Sequence, residues 1–185
     1  METYLLVENV VAGQTPGIQI PFLNILQEFN QIVEIGFHRG GLSLWMHKNK
    51  KLETDLFCYD ITFEFLQVQN ENIKFIKGDC FSENIKEDIK NIIQREGKTL
   101  LLCDGGSKNQ EFNLYSQFLK SGDVIMCHDY TDNLNEYREI QSRINWPHPP
   151  ESSYGEIKLS IEINNLEPFY YEDFKNVLWG SFVKK

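Results

Sequence analysis

Four apolar runs in this chain stop at an acid. DLFCYD ends on Asp60, NIKFIKGD on Asp79, TLLLCD on Asp104, and VIMCHD on the pair His128-Asp129. A fifth run, QIVEIG, ends on Gly36 and opens into VEIGFHRGGLSLWM, a stretch in which two more glycines follow, Gly40 and Gly41. A carboxylate at a strand end can accept both hydroxyls of a ribose, and a glycine lets backbone approach a ligand closely. Asp60 stands 24 residues after Gly36, the place for such an acid. NAD proteins carry an acid at a similar position, so Asp60 points to an adenosine nucleoside without choosing between cofactors. Asp79 reads equally as a turn former or an acid at a helix N-terminus. His128 is the best candidate for a general base, because an unperturbed imidazole titrates near neutrality.

The glycine stretch narrows the choice. A dinucleotide fingerprint needs G-x-G-x-x-G, and its second glycine admits the pyrophosphate. Here Gly36 is followed by Phe37 and then His38, a side chain where the pyrophosphate would lie. A phosphate-binding Walker loop ends in G-K-[ST], and this one ends in GLS. Both phosphate readings weaken, and a tight strand-to-helix turn with no ligand stays open.

These residues need elements to hold them. QIVEIG (31–36), DLFCYDI (55–61), NIKFIKGD (72–79), KTLLLCDGG and SGDVIMCHDY read as strands. Between them LSLWMHKNK, TFEFLQVQN, SENIKEDIKNIIQRE (82–96, with Ser82 as N-cap) and a segment from about Asn109 to Lys120 read as helices. Strands alternating with helices predict βαβ units and a parallel sheet, and near-continuous apolar strands predict that both its faces are covered. NWPHPPESSYG (145–155) holds three prolines and reads as a rim or lid. EIKLSIEI alternates like a strand but closes like a helix, and is read as helix. FKNVLWGSFVKK (174–185) reads as a final strand that would add an antiparallel edge. Trp45 and Phe65, at helical spacing, read as core. Tyr130, Trp146 and Tyr154 are the aromatics placed to line an acceptor site. The charge run KEDIKNIIQRE reads as a solvated helix face.

The expected fold class is therefore α/β: a Rossmann-like, doubly wound, mostly parallel sheet of about seven strands. A single domain over 1–185 is expected, with a lead-in at 1–30, a cofactor-binding core at 31–130, the loop or lid at 145–155 and the C-terminal sheet edge at 156–185. A net charge of −9 makes nucleic acid an improbable main partner, since affinity for phosphates rests on Lys and Arg. Four scattered cysteines without a CxxC pair, no basic leader and no apolar run of about 20 residues predict a cytoplasmic protein that does not cross a membrane.

The spacing E-x-G-x-x-x-G-G from Glu34 to Gly41 resembles the first motif of class I S-adenosylmethionine-dependent methyltransferases. DGGSKNQEFNLYSQFLKSGDVIMCHDY (104–130) and the upstream PGIQIPFLNILQEFNQIVEIGFHRGGLSL resemble the small O-methyltransferase group with cephalosporin hydroxylase-like and macrocin-type members. The resemblance covers about residues 15 to 130 well and the tail loosely. It implies S-adenosylmethionine as cofactor and methyl transfer to a small-molecule or sugar acceptor, at oxygen. It places Glu34, Gly36, Phe37, Gly40, Gly41 and Ser43 at the cofactor loop, Asp60 on the ribose, and Asp79 and Cys80 beside the adenine. Asp104 would face cofactor, acceptor or metal. A homodimer is compatible with the resemblance.

In that group a magnesium ion is held by an acid after the fourth strand and an acidic pair after the fifth, which implies Asp104, His128 and Asp129 here. His128 departs from the pattern, since imidazole suits zinc, iron or nickel better than magnesium. Gly106-Ser107 departs too, where the group often carries Asp-His. Lys108 is a second candidate base, because metal-dependent catechol-type enzymes use a lysine three positions after the first metal acid, here four. His38, His47 and His148 are weaker candidates. Two other function classes stay open: an NAD(P)-dependent oxidoreductase, and a binding or assembly module that keeps the fold without turnover.

Overall fold

The computed structural model describes residues 3–185. Numbering only the strands of its central sheet, β1 is Gln31–Ile35, β2 Asp55–Asp60, β3 Lys74–Lys77, β4 Thr99–Cys103, β5 Val124–His128, β6 Leu166–Pro168 and β7 Trp179–Lys184. The helices are α1 Gln19–Ile25, α2 Gly41–Asn49, α3 Glu83–Ile93, α4 Lys108–Tyr115, α5 Leu134–Ile144, α6 Tyr154–Ile163 and α7 Tyr171–Lys175. The sheet order is β3-β2-β1-β4-β5-β7-β6. The five strands from β3 to β5 run parallel. β7 is antiparallel to both its neighbours and is slotted between β5 and the edge strand β6. The expected Rossmann-like, mostly parallel sheet of about seven strands with an antiparallel C-terminal edge is what the chain adopts.

Every residue of β1, β4 and β5 is buried, as in a parallel sheet covered on both faces. Alternate residues feed two cores. Ile32, Leu100, Leu102 and Met126 join α1 and α2 on one face, with Phe174 of α7. Val33, Ile35, Leu101 and Ile125 join α3, α4 and α6 on the other. Ile85, Ile89, Ile92 and Ile93 are the buried stripe of α3, and its charges face solvent. The four cysteines are buried free thiols. Among the described residues no helix is long and apolar enough to cross a membrane.

The registers decide where the site lies. Ile35 pairs with Tyr59 on one side and Cys103 on the other, and Cys103 pairs with Cys127. Gly36, Asp60, Asp104 and His128 therefore leave the sheet at one edge. The chain winds outward from β1 to β3, then returns to the other side of β1 for β4 and β5, so the order reverses between β1 and β4. Ligands bind beyond the carboxyl ends of strands at such a reversal.

Several expectations need correction. TFEFLQVQN is not a helix; residues 61–73 connect β2 to β3 irregularly. Asp60 Oδ1 accepts from Thr62 N and Thr62 Oγ1 from Glu64 N, and these side-chain turns divert the backbone from a helix. Phe65 is consequently exposed rather than core, while Trp45 is buried as expected. Ser82 precedes α3, but its hydroxyl donates to the Asp79 carbonyl instead of capping the helix. Residues 174 and 175 belong to α7, so the last strand starts at Trp179. An additional helix, α5, fills 134–144; the Asn133 side chain caps its N-terminus and left-handed Asn145 ends it.

Candidate functional site

Two cavities share the carboxyl edge of the sheet. The first, about 500 Å³, lies over β1, β2 and β3 and is lined by Gly36, Asp60, Ile61, Asp79, Phe81 and Glu111, among others. The second, about 450 Å³, lies over β4 and β5 under the lead-in and the 146–151 loop; Phe37, Lys108, His128, Asp129, Trp146 and Glu151 line it. Gly36, His38 and Asp104 line both. Both volumes are in the range of small-molecule sites.

Gly36 is where the two strands meet. Its φ is +87°, and a Cβ there would stand 2.3 Å from the Asp104 carbonyl oxygen. No side chain fits that contact, and the left-handed φ disfavours one independently. The bare turn therefore serves the approach of the loop after β4. Gly41 likewise clears the Val11 carbonyl, and left-handed Gly40 clears Leu66 and Val68. Neither lines either of the two cavities. Glu34 and Ser43 also lie outside these two cavities, buried beneath the turn, where the Ser43 hydroxyl donates to Glu34 Oε2. Burial pushes the Glu34 carboxyl up from the ordinary 4.5 to about 8, so it is protonated at neutral pH.

In the first cavity the Asp60 carboxylate accepts from His38 N at 2.9 Å and from Thr62 N at 3.2 Å, one on each oxygen. A carboxylate has about four acceptor positions, so two remain for ligand hydroxyls. Asp79 Oδ1 accepts from Phe81 N. The exposed apolar side chains Ile61 and Phe81 line the same cavity. Cys80 also lines it, with its thiol pushed up to about 12 by burial. Glu111, which the sequence did not mark, accepts from Gly105 N and Ser107 N and so fixes the loop after β4. Its burial raises it to about 7.

The second cavity is built on Asp104. Its Oδ1 lies 2.9 Å from His128 Nδ1, and its Oδ2 accepts from Gln14 Nε2 at 2.7 Å. Trp179 Nε1 donates to Gln14 Oε1, which fixes the amide with its NH₂ toward Asp104. His128 Nδ1 also lies 3.4 Å from Gln14 Nε2, and the shorter contact to the Asp104 carboxylate calls for a proton on Nδ1. Nε2 is buried and finds no hydrogen-bond partner among the described residues. The ring stacks on Trp179 at 4.8 Å between centroids. Burial works against a charged His128, but Asp104 and Asp129 outweigh it and hold the imidazole above 6.5.

Gln14 is the residue that sequence reading missed. A two-residue turn at Glu8 and Asn9, both left-handed, folds Leu6–Val7 onto Val10–Val11 and carries Gln14 over the sheet edge.

Asp129, itself left-handed at φ +51°, joins the core to residues 133–151. Its Oδ1 accepts from Trp146 Nε1 at 2.7 Å and from Tyr137 Oη at 3.4 Å, and its carbonyl accepts from Glu151 N. Thr131 pairs with Ser153 and closes the base of this excursion. Trp146 and His148 line the cavity, and Tyr4 Oη lies 2.9 Å from His148 Nε2. Tyr130 does not line it: the ring is buried against Gly180 and its hydroxyl meets Tyr171 Oη. Tyr154 does not line it either. His47 is remote, in a separate lysine-rich hollow.

Lys108 is 6% exposed, with Nζ against Glu151 Oε2, 3.8 Å from Asp129 and 3.9 Å from Asp104. Burial opposes its charge, but these three acids overcome that and raise its pKa above the usual 10.5. An ammonium so held is not a base at neutral pH. Among the described residues no group of three or more His, Cys, Asp and Glu side chains is arranged to hold a metal ion.

No family model matches the sequence, and no curated protein matches it. Solved structures do resemble it. The apo structure of CmcI superposes with a TM-score of 0.70 at 16% identity, over 97% of this chain and 76% of that one. A CmcI structure with Mg and SAM gives 0.64 at 17%, over 93% and 72%. A chain of the Haloferax volcanii complex between the Trm112 methyltransferase activator and a methyltransferase gives 0.52 at 12%, over 91% and 89%. At these identities the likeness is one of fold: the chain has the Rossmann-like α/β fold of these structures.

Proposed function

We propose that this protein is an S-adenosylmethionine-dependent methyltransferase acting at an oxygen of a small-molecule acceptor. One observation carries the reading. A cavity lined by strand-end acids meets, at Gly36 and Asp104, a second cavity holding a buried histidine with one bare nitrogen. The first suits a nucleoside: Asp60 has free acceptor positions for two ribose hydroxyls, and Ile61 and Phe81 offer apolar faces to a base beside Asp79. The second suits an acceptor that must lose a proton.

Bound S-adenosylmethionine supplies an electrophilic sulfonium methyl. The chain's own residues do the rest. Asp104 holds His128 Nδ1–H, which leaves Nε2 to take the acceptor proton. Gln14 and Trp179 keep Asp104 and the ring in place. Residues 133–151, tied to the core through Asp129 and Lys108, cover the acceptor and exclude water.

Calorimetric titration with S-adenosylmethionine, S-adenosylhomocysteine and NAD tests the reading. Micromolar binding of the two sulfur compounds, none of NAD, and loss of binding in Asp60→Ala are expected. Failure of both sulfur compounds to bind overturns the proposal, and binding of NAD in their place leaves the redox alternative.

A further inference from the structure

We infer that the Lys108 ammonium is the resident cation of the second cavity, standing between the carboxylates that would otherwise bind a divalent metal, so that this cavity works without one. Position comes first. Lys108 Nζ is 3.9 Å from Asp104 Oδ1 and 3.8 Å from Asp129 Oδ2, against Glu151 Oε2, and 3.2 Å from the Gly105 carbonyl. A divalent ion bridging Asp104 and Asp129 would need oxygen contacts of roughly 2.0–2.6 Å in the space between them. The ammonium faces both of these oxygens, and His128 Nδ1 lies nearer still, 2.9 Å from Asp104 Oδ1 and 3.7 Å from Asp129 Oδ2.

The donor count points the same way. Gln14 Nε2 is directed at one oxygen of Asp104 and His128 Nδ1–H at the other. Trp146 Nε1 and Tyr137 Oη converge on Asp129 Oδ1. With Lys108, five donor groups face two carboxylates. A metal needs lone pairs, and the ring nitrogen His128 turns to this cluster is the one that meets the Asp104 carboxylate, Nε2 being the one without a partner among the described residues. Acids this far out of water must be compensated by hydrogen bonds and opposite charge; the four other donors take only part of the lone pairs, and Lys108 supplies the charge.

The placement of Lys108 in its helix is the independent observation. It is the first residue of α4, where the helix macrodipole is positive and a cation is disfavoured. A lysine buried at that position costs stability unless acids surround it, and they do. In turnover, which rests on the methyltransferase reading above, this fixed positive charge lies beside an acceptor oxygen as it loses its proton.

The test reads metal binding, so it stands apart from methyl transfer. Free Mn²⁺ is followed by electron paramagnetic resonance on titration into the wild-type chain, Lys108→Ala, and Lys108→Ala with Asp104→Asn. Circular dichroism checks each fold. The wild type is expected to leave the free-ion signal unchanged. Lys108→Ala is expected to take up the ion and lower the free-ion signal, and the second substitution to restore it. The melting temperature of Lys108→Met, which keeps the packing of the stem, is read with and without Mn²⁺; a rise there and none in the wild type supports the assignment even if the alanine variant does not fold. Uptake of Mn²⁺ by the wild type that disappears in Asp104→Asn overturns it. So does the absence of any uptake once Lys108 is gone.

Discussion

Glu34 offers a prediction that needs no knowledge of ligand. It is the one acid in the middle of a buried central strand, 1% exposed, with Ser43 as its hydroxyl donor and the Cys58 thiol alongside. Burial is the main cause that raises it from 4.5 to about 8, with Asp104 and Asp60 adding repulsion. Below pH 4.5 both folded and unfolded chains hold the proton, and Glu34 makes stability independent of pH. Between 4.5 and 8 the unfolded chain releases the proton and the folded one keeps it. Stability is therefore lost as pH rises through that window, and the loss levels off above the folded value. From pH 5 to pH 8 the difference integrates to about 3–4 kcal/mol, at 1.36 kcal/mol per pH unit. Glu34→Gln keeps the size and the acceptor for Ser43 but cannot ionise. Urea unfolding of wild type and variant at pH 5, 6, 7 and 8 isolates Glu34 from every other titrating group, because only their difference is read. The variant is expected to gain on the wild type steadily, reaching a few kcal/mol at pH 8. Parallel stability curves would refute the argument, showing that Glu34 is ionised in the fold or has water around it.

Gly36→Ala places a Cβ 2.3 Å from the Asp104 carbonyl at a φ of +87°; a loss of about 3 kcal/mol or more in urea unfolding is expected, and an unchanged midpoint would show that the β1 and β4 exits are not in contact. Gln14→Leu removes the donor to Asp104 and the acceptor for Trp179. It should cost about 2–4 kcal/mol, part of which returns when Trp179→Phe is added, since one orphaned donor is then gone; strict additivity would argue against the contact. His128→Gln should slow methyl transfer by about 10²–10⁴-fold while S-adenosylhomocysteine still binds. In the wild type the rate should rise with pH through a value above 6.5, because the base works only when neutral and Asp104 and Asp129 hold its proton. Asp104→Asn should move that limb to lower pH, and a limb that stays in place would remove His128 as the titrating group.

Much of the sheet was legible because its strands are buried on both faces. Runs such as TLLLC and VIMC have no polar interruption, and their ends fall where Asp104 and His128 begin. The acids at those ends are brought to one edge by register alone, which is why Asp60, Asp79, Asp104 and Asp129 all reach a cavity. The connection 61–73 was not legible. Phe63, Phe65 and Leu66 have helical spacing, but Asp60 and Thr62 give the backbone side-chain acceptors that compete with helical bonds. Gln14 was out of reach for another reason. Its place depends on a hairpin turn at Glu8-Asn9 and on Trp179, and nothing in a lone glutamine signals a contact 165 residues away. Lys108 was visible as a residue but its surroundings were not, because Asp129 and Glu151 approach it only in the fold.

Glu34 and the glycines show what a sequence motif does and does not say. E-x-G-x-x-x-G-G describes the turn between β1 and α2, and its acid and glycines find their partners within the chain itself. Gly36 admits the Asp104 carbonyl, Gly41 the Val11 carbonyl, and Glu34 receives Ser43. Among these residues only Gly36 lines a cavity, and it lines both. The motif therefore argues for the fold, since a bare backbone is what lets β4 exit against β1. The case for function rests on the acids and the histidine that this close exit brings together. Asp104 can serve His128 on one side and face the first cavity on the other only because nothing stands at position 36 to hold it off.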